Sequence, residues 1–227
     1  MSYIKKLLLG FNADALPNEW LWINELWNKI PDKKTNLTEV PFFIIDLELT
    51  GLDPDQDRIV SLTAIPVQGS QIYTDRILSL YIDQEFYRPE TIAIHEILPG
   101  ENRQSPISES EAIEEFLKMT GSGAWVFHGA EHDFRFLKAA AIRAGLPFLK
   151  NPVVDTLKLL PRAFDDYRHP DQLPQGSMKL EQICNKLNIP HHDNHTADGD
   201  ALATAILFTE LLSKLQKRGN KTFRDLM

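Results

Sequence analysis

Two acidic side chains, Asp46 and Glu48, stand two residues apart within an apolar run, Phe42 to Pro54, that is rich in Ile and Phe. Such a run predicts a buried strand, and side chains two apart on a strand point to the same face. Two carboxylates held together in an apolar setting repel each other unless a cation neutralises them. The pattern therefore indicates either a divalent metal site or the solvated face of an edge strand, and this stretch alone favours neither.

Three further side chains that suit metal chemistry follow downstream. Asp133 is expected near the start of a helix that follows a buried strand, and His195 and Asp200 flank the start of the last helix. Together with Asp46 and Glu48 they suit two hard divalent cations, because Mg²⁺ prefers oxygen ligands. Two such ions about 3.5 to 4 Å apart stabilise both the attacking and the leaving oxygen of an in-line phosphodiester displacement. His195, whose ordinary pKa lies near working pH, would take the proton from the attacking water.

Other kinds of site find little support in the sequence. No glycine-rich phosphate-binding fingerprint is present, and the single cysteine, Cys184, can form neither a Cys-based zinc site nor an internal disulfide. The loop from His191 to His195 is able to bind a transition metal by itself, but polar loops rich in His are more often simply exposed. We therefore expect His191 and His192 to be exposed.

The apolar pattern also predicts the elements that must position these residues. The segments Arg58 to Val67 and Gln71 to Ile82 predict the two strands of a hairpin, so the first three strands should form an antiparallel meander. Ser108 and Glu111 predict a capping box at the start of the next helix. Strand and helix then alternate, which predicts an α/β domain with a mixed sheet. The remaining elements are strands at Ala124 to His128 and Val153 to Thr156, and helices at about 131 to 144, from Leu180 to Leu187 and from about Thr196.

Residues 1 to 38 differ from the rest of the chain. Trp20, Ile23, Trp27 and Ile30 recur at the spacing of one helical face. A helix rich in tryptophan could offer a partner-binding surface, but packing of the helix onto its own domain is the commoner use of such a stripe. We expect an N-terminal helical extension and linker over residues 1–38, followed by the main domain over residues 39–227.

Composition and charge restrict the function further. The 227 residues, 43% of them hydrophobic and 25% charged, suit a soluble globular protein of one domain. No segment reaches the ~18 uninterrupted apolar residues of a membrane span, and one cysteine agrees with a reducing compartment, so we expect a cytoplasmic protein. The formal charge of -8 argues against a broad basic surface for nucleic acid. It leaves room for local binding of a phosphate chain through metal ions and a few basic groups.

Three motifs carry a resemblance to a known family. Asp46-Leu-Glu48-Leu-Thr-Gly, His128-Gly-Ala-Glu-His-Asp133-Phe-Arg-Phe-Leu and His195-Thr-Ala-Asp-Gly-Asp200-Ala resemble the three motifs of the DEDDh branch of 3'-5' exonucleases, the DnaQ-like or proofreading-epsilon family. The resemblance spans about residues 40 to 213. It implies an RNase H-like fold, with a mixed five-stranded sheet flanked by helices. It also implies that Asp46, Glu48, Asp133 and Asp200 are metal ligands and that His195 is the general base.

The same resemblance implies residues that contact the substrate. Glu90 and His95 correspond to the family's segment that lines the terminal-nucleotide pocket, and Thr50 and Leu52 lie where family members approach the terminal sugar and base. The segment Val154-Asp155-Thr156-Leu157 resembles the family's Asp-Thr segment, and there we expect a structural strand end.

The chain departs from the family pattern at two places. Where the family usually has His-Asn and then Phe-Asp in the second motif, this chain has His128-Gly129 and His132-Asp133, which puts the contacts of that Asn and Phe in question. Asp198 is an additional acid two residues before Asp200. It either alters metal affinity or favours the helix N-terminus, and we expect the second.

The first functional hypothesis is a 3'-5' exonuclease that uses two Mg²⁺ or Mn²⁺ ions to release nucleoside 5'-monophosphates from single-stranded DNA 3' ends. An alternative in the same class is a 3'-5' exoribonuclease acting on short RNA or RNA tails. A hypothesis of another class is a non-catalytic subunit of a polymerase or repair complex that docks through the tryptophan-rich helix. The expected partners are a single-stranded nucleic acid 3' end, with DNA favoured over RNA, and a polymerase or repair complex, but no membrane.

Overall fold

The computed structural model describes residues 16–84, 88–89, 91–92, 97, 107–191 and 196–227, and the structural statements that follow concern these residues. Among the residues singled out above, Glu90, His95, His192 and His195 lie outside the described residues.

A mixed six-stranded sheet forms the centre of the domain. Its strands are β1 (Pro41–Leu49), β2 (Ile59–Gln68), β3 (Gln71–Ile72), β4 (Leu78–Tyr81), β5 (Ala124–Phe127) and β6 (Val153–Asp155). The strand order is β3-β2-β1-β5-β6, and β4 also pairs with β2. The pairs of β2 with β1, β3 and β4 are antiparallel, whereas β5 is parallel to both β1 and β6. The predicted meander and the mixed α/β architecture are thus confirmed.

The sheet has six strands rather than the expected five because the second hairpin strand is divided. A 3₁₀ turn at Thr74–Arg76 separates β3 from β4, and both of these strands pair with β2. Pro66 of β2 explains the division, since its carbonyl accepts from Tyr73 N at 3.0 Å but proline has no N–H to return. A proline that faces the neighbouring strand interrupts the ladder at that point.

The described α-helices cover both faces of the sheet. They are α1 (Ile23–Trp27), α2 (Glu109–Thr120), α3 (Ala130–Arg143), α4 (Thr156–Ala163), α5 (Leu180–Leu187) and α6 (Ala197–Lys217). The predicted capping box begins α2, where Glu111 N donates to Ser108 Oγ at 3.3 Å and Ser108 N donates to Glu111 Oε2 at 2.9 Å. Within the described part of the chain, every helix is too short or too polar to cross a membrane.

Alternate residues of β1 contribute to two separate hydrophobic cores. Phe42 and Ile44 pack in the core that includes residues of α4, α5 and α6, whereas Phe43 and Ile45 pack in the core that includes residues of α1, α2 and α3. Side chains alternate along a strand, so Asp46 and Glu48 continue the face of Phe42 and Ile44. The two acids therefore leave the sheet on the side that α6 covers.

The N-terminal tryptophans pack onto the domain, as the sequence predicted. Trp20, Ile23 and Trp27 are buried. The Trp20 indole donates to the Ala144 carbonyl at 3.1 Å, and the Trp27 indole donates to Asn151 Oδ1 at 3.2 Å. These side chains are buried and hydrogen-bonded within the domain, so less tryptophan surface is exposed to a partner.

Candidate active site

Asp46 and Glu48 lie near the end of β1, beyond the part of the strand that β5 covers. The parallel pairing with β5 ends at Ile44, whereas the antiparallel pairing with β2 continues through Asp46 and Glu48. The register shifts between Glu48 and Leu49, which marks a bulge just after the second acid. The two carboxylates therefore stand where one neighbouring strand has ended and the side chains of following elements can reach them.

Asp200 reaches the same place from the start of α6. Thr196 caps this helix, since its hydroxyl accepts from Gly199 N at 3.1 Å, and Asp200 lies in the first turn. One carboxylate oxygen from each of Asp46, Glu48 and Asp200 lies within 4.8 Å of the other two. The first motif, with Asp46 and Glu48, and the third, with Asp200, are thus brought together by the fold, as a shared metal site would require.

Asp133, in the first turn of α3, faces the same group of acids. Its negative charge raises the pKa of both Asp46 and Glu48, although burial is the larger cause in each case. The pKa of Asp133 itself is raised to about 7 by burial and by the charge of Asp155. Among the described residues, only Asp46, Glu48 and Asp200 form the compact triad of possible metal ligands, and Asp133 stands beside it.

The electrostatics of this acidic cluster favour a bound cation. Burial, followed by the charges of Asp133, Asp200 and Glu48, raises the pKa of Asp46 well above its usual range. Burial and the charges of Asp200 and Asp133 raise the pKa of Glu48 to about 8. In the described part of the chain, no Lys or Arg forms an ion pair with any of the four acids. Hard carboxylate oxygens that repel one another suit divalent ions such as Mg²⁺ or Mn²⁺.

His191 contacts this cluster, and the expectation that it is exposed was wrong. Its side chain is only 7% exposed, and Nε2 lies 2.6 Å from Asp200 Oδ1. A carboxylate oxygen accepts hydrogen bonds, so His191 donates through Nε2, while the buried Nδ1 has no partner among the described residues. His191 thus contacts the first turn of α6, and no spacing rule distinguishes this histidine from its neighbour in the sequence.

Two partly buried polar side chains, His128 and Asp155, fix the start of α3. His128 donates through Nε2 to the Met178 carbonyl at 3.1 Å and accepts at Nδ1 from the Thr156 hydroxyl at 2.8 Å. Burial lowers the pKa of His128, which agrees with a neutral ring. Asp155 accepts from Gly129 N at 3.0 Å, Ala130 N at 3.2 Å and Leu157 N at 3.0 Å. Asp155 is therefore the structural strand end that the sequence predicted, and it holds the helix that carries Asp133.

The geometry explains one departure from the family pattern. Gly129 has φ of +84°, in the left-handed region, and precedes the first turn of α3. Glycine and asparagine adopt this conformation more readily than other residues. Glycine therefore suits this backbone turn, but it offers no side chain for the contacts that an asparagine could make.

Asp198 contacts β2 rather than the acidic triad. It lies in the first turn of α6 and accepts a short hydrogen bond from the Thr63 hydroxyl. This contact ties the helix start to the sheet, in keeping with the expected role at the helix N-terminus.

The residues expected to contact a nucleotide differ in their surroundings. Leu52 is 79% exposed, four residues beyond Glu48. Thr50 is buried, and its hydroxyl accepts from Arg58 N at 2.9 Å and donates to Asp57. Thr50 thus supports the loop after β1, and a direct contact with substrate stays a prediction. Glu90, His95 and His195 lie outside the described residues.

A family model described as exonuclease, that of RNase T, matches residues 43–208, which include Asp46, Glu48, Asp133, His195 and Asp200. The chain belongs to this exonuclease family. The match covers β1 through most of α6, so the acidic cluster lies wholly within the exonuclease domain.

Known members of the exonuclease family and solved structures resemble this chain over most of its length. The 3'-5' exonuclease DinG of Bacillus subtilis is 30% identical over 189 residues, which cover 82% of this chain and 19% of DinG. The DNA polymerase III subunit epsilon of Aquifex aeolicus is 28% identical over 186 residues, 80% of this chain and 85% of that protein. E. coli exonuclease I in complex with a dT13 oligonucleotide has the same fold, with a TM-score of 0.68 at 18% identity over 79% of this chain and 42% of that one. The RNase H-like exonuclease fold is thereby confirmed.

Proposed function

We propose that this protein is a metal-dependent 3'-5' exonuclease that hydrolyses phosphodiester bonds at single-stranded DNA 3' ends and releases nucleoside 5'-monophosphates. The observation that carries the proposal is the triad of Asp46, Glu48 and Asp200 within 4.8 Å inside an exonuclease-family domain. The relatives support its direction and substrate, because DinG is named a 3'-5' exonuclease and exonuclease I was solved with a single DNA strand.

Four carboxylates would hold the ions, with Asp46, Glu48 and Asp200 as the triad and Asp133 beside them. Two divalent ions, Mg²⁺ or Mn²⁺, would supply the positive charge that stabilises the attacking and leaving oxygens of the displacement. The four acids lie on three different elements, β1, α3 and α6, so their separation is set by the packing of the fold. Removing one acid should therefore damage the site without unfolding the sheet.

His195 would act as the general base in this proposal. In the sequence it directly precedes Thr196, the cap of the helix that carries Asp200, and this nearness in sequence supports the proposal. An imidazole with a pKa near neutrality can take a proton from the attacking water at working pH. On the substrate side, the exposed Leu52 would pack against the terminal base, and Thr50, Glu90 and His95 are proposed as further contacts.

A polymerase or repair complex is the proposed partner. The Aquifex aeolicus relative is a DNA polymerase III subunit, and the net charge of -8 weakens unaided binding to nucleic acid. Delivery by a partner would compensate for this weak binding.

The proposal is tested with 5'-labelled single-stranded DNA and RNA of one sequence, incubated with the protein and Mg²⁺, Mn²⁺ or EDTA. We expect DNA to shorten from its 3' end with either metal, faster than RNA, and to remain intact in EDTA. His195→Ala should lose nearly all turnover, whereas the same change at the exposed His169 should not.

Undiminished hydrolysis in EDTA, or full activity of the His195→Ala variant, would contradict this mechanism. Faster loss of RNA than of DNA would assign the protein to the exoribonucleases. If every oligonucleotide stayed intact with both metals, a non-catalytic subunit would become the better account.

A further inference from the structure

A buried carboxylate that is not part of the acidic cluster organises the loop between β1 and β2. The Asp57 side chain is only 3% exposed. Its oxygens accept from Arg88 Nε at 2.8 Å, from Asp53 N at 3.0 Å and from the Thr50 hydroxyl at 3.4 Å. Burial by itself would raise the pKa of Asp57, but these hydrogen bonds outweigh it and lower the pKa below its ordinary value. Asp57 is therefore a charged group whose hydrogen-bond donors and opposite charge are supplied by the protein itself.

The loop is shaped closely around this ion pair. A Cβ atom on Gly51 would lie 2.3 Å from Asp57 Oδ2 and 2.6 Å from Arg88 Nε, so no other residue fits there without displacing the pair. Thr50 N donates to the Arg58 carbonyl at 2.9 Å, which closes the loop at its base. The Thr-Gly step after Glu48 is thus packed directly against the carboxylate and the guanidinium.

Arg88 joins this loop to a second chain segment. Its side chain is 40% exposed, and it lies two residues before Glu90, which the family resemblance assigns to the segment that lines the terminal-nucleotide pocket. The segment makes a second contact with the loop, since the Thr91 hydroxyl donates to the Thr50 carbonyl at 3.2 Å. One connection reaches Thr50, two residues after Glu48, and the other reaches the buried charge of Asp57.

We propose that Asp57 and Arg88 are positioning residues that hold the loop carrying Leu52 against the chain at Arg88 and Thr91, in the arrangement needed to bind a terminal nucleotide. The inference rests on the proposed function and names the part of the chain that governs nucleotide binding rather than metal binding. Asp57 does not belong to the triad of possible metal ligands, so loss of the pair should leave the metal site itself unchanged. Hydrogen bonds between charged groups are strong, so we expect loss of the Arg88–Asp57 hydrogen bond to weaken nucleotide binding about tenfold.

The test separates nucleotide binding from metal binding by calorimetry on the full chain. Mn²⁺ alone is titrated first, and the reaction product thymidine 5'-monophosphate is then titrated in saturating Mn²⁺. We expect Arg88→Met to weaken nucleotide binding about tenfold, Arg88→Lys to weaken it less, and both to keep Mn²⁺ affinity within about twofold of the wild type. The matched control is Arg76→Met, which removes an exposed arginine whose partner, Asp75, is also exposed.

Asp57→Asn and the Asp57→Asn/Arg88→Met double variant complete the test. If the two side chains act as one unit, the double variant should lose no more nucleotide affinity than Arg88→Met alone. Unchanged nucleotide binding in Arg88→Met, an equal loss of Mn²⁺ affinity, or additive losses in the double variant would each overturn the inference. In those cases the wild type would still degrade oligonucleotides, whereas an inactive wild type that binds no nucleotide would overturn the proposed function as well.

Discussion

The end of β1 and the loop that follows it contain carboxylates with opposite surroundings. Asp57, in the loop after the strand, accepts hydrogen bonds from a guanidinium, a backbone amide and a hydroxyl. Asp46 and Glu48, within the strand, face Asp133 and Asp200 instead. The pKa of Asp57 is accordingly lowered, while that of Glu48 is raised to about 8.

This difference separates a structural acid from a functional one. Removing a carboxylate from water is costly in either place, and the cost must be offset by donors or by opposite charge. The Asp57 site supplies that compensation from the protein itself. In the acidic cluster, a bound ligand would have to supply this compensation. Titratable groups with strongly shifted pKa values, such as these, are typical of functional sites.

The same substitution should therefore have opposite effects in the two places, and this is the largest effect that we expect. Asp46→Asn should lower exonuclease turnover about a thousandfold or more, and it should raise the free energy of unfolding of the metal-free protein because it removes a repelling charge. Asp57→Asn should lower the free energy of unfolding by about 2 kcal/mol, because it weakens the hydrogen bonds to a buried group. Turnover assays and urea unfolding in EDTA measure both quantities.

The control is Asp55→Asn, since Asp55 is exposed in the same loop. This variant should change neither quantity appreciably. An Asp46→Asn variant that is stable and still active would contradict the distinction between the structural acid, Asp57, and the functional acids of the cluster.

The raised pKa values predict an unusual dependence of stability on pH. Glu48 has an ordinary pKa of 4.5, which the fold raises to about 8, so the folded protein retains this proton to a higher pH than the unfolded chain. The free energy of unfolding of the metal-free protein should therefore fall as pH rises from about 4.5 to about 8 and level off above. The slope for one such group is at most about 1.4 kcal/mol per pH unit. Urea unfolding in EDTA at several pH values measures it.

Glu48→Gln should flatten that slope, whereas Glu210→Gln, at an exposed position of α6, should not. A slope that is identical in the wild type and in Glu48→Gln would show that Glu48 does not titrate as its surroundings imply.

The sequence predicted the parts of the site that depend on local rules. The alternation of β1 placed Asp46 and Glu48 on one face, and the start of α6 placed Asp200 in a first turn. The roles of Asp57 and His191 were not predictable in this way. Asp57 meets Arg88 across 31 residues of chain, and His191 lies in an aperiodic loop, so neither contact leaves a repeating pattern. Such contacts depend on tertiary packing, which brings together residues that no spacing relates.

His191 gives the smallest effect in this comparison, because it contacts the proposed metal ligand Asp200 and is not itself one of the proposed ligands. Its Nε2 fixes one oxygen of Asp200 at 2.6 Å, and groups that orient metal ligands in this way commonly change metal affinity ten- to hundredfold. We expect His191→Gln to weaken Mn²⁺ binding about tenfold in calorimetry, at the lower end of that range, because a glutamine amide can still donate to Asp200. His169→Gln, which changes an exposed histidine, is the control and should bind Mn²⁺ as the wild type does. Equal Mn²⁺ affinity in both variants would mean that Asp200 is held by its helix alone, and that the acidic cluster receives no support from the loop before α6.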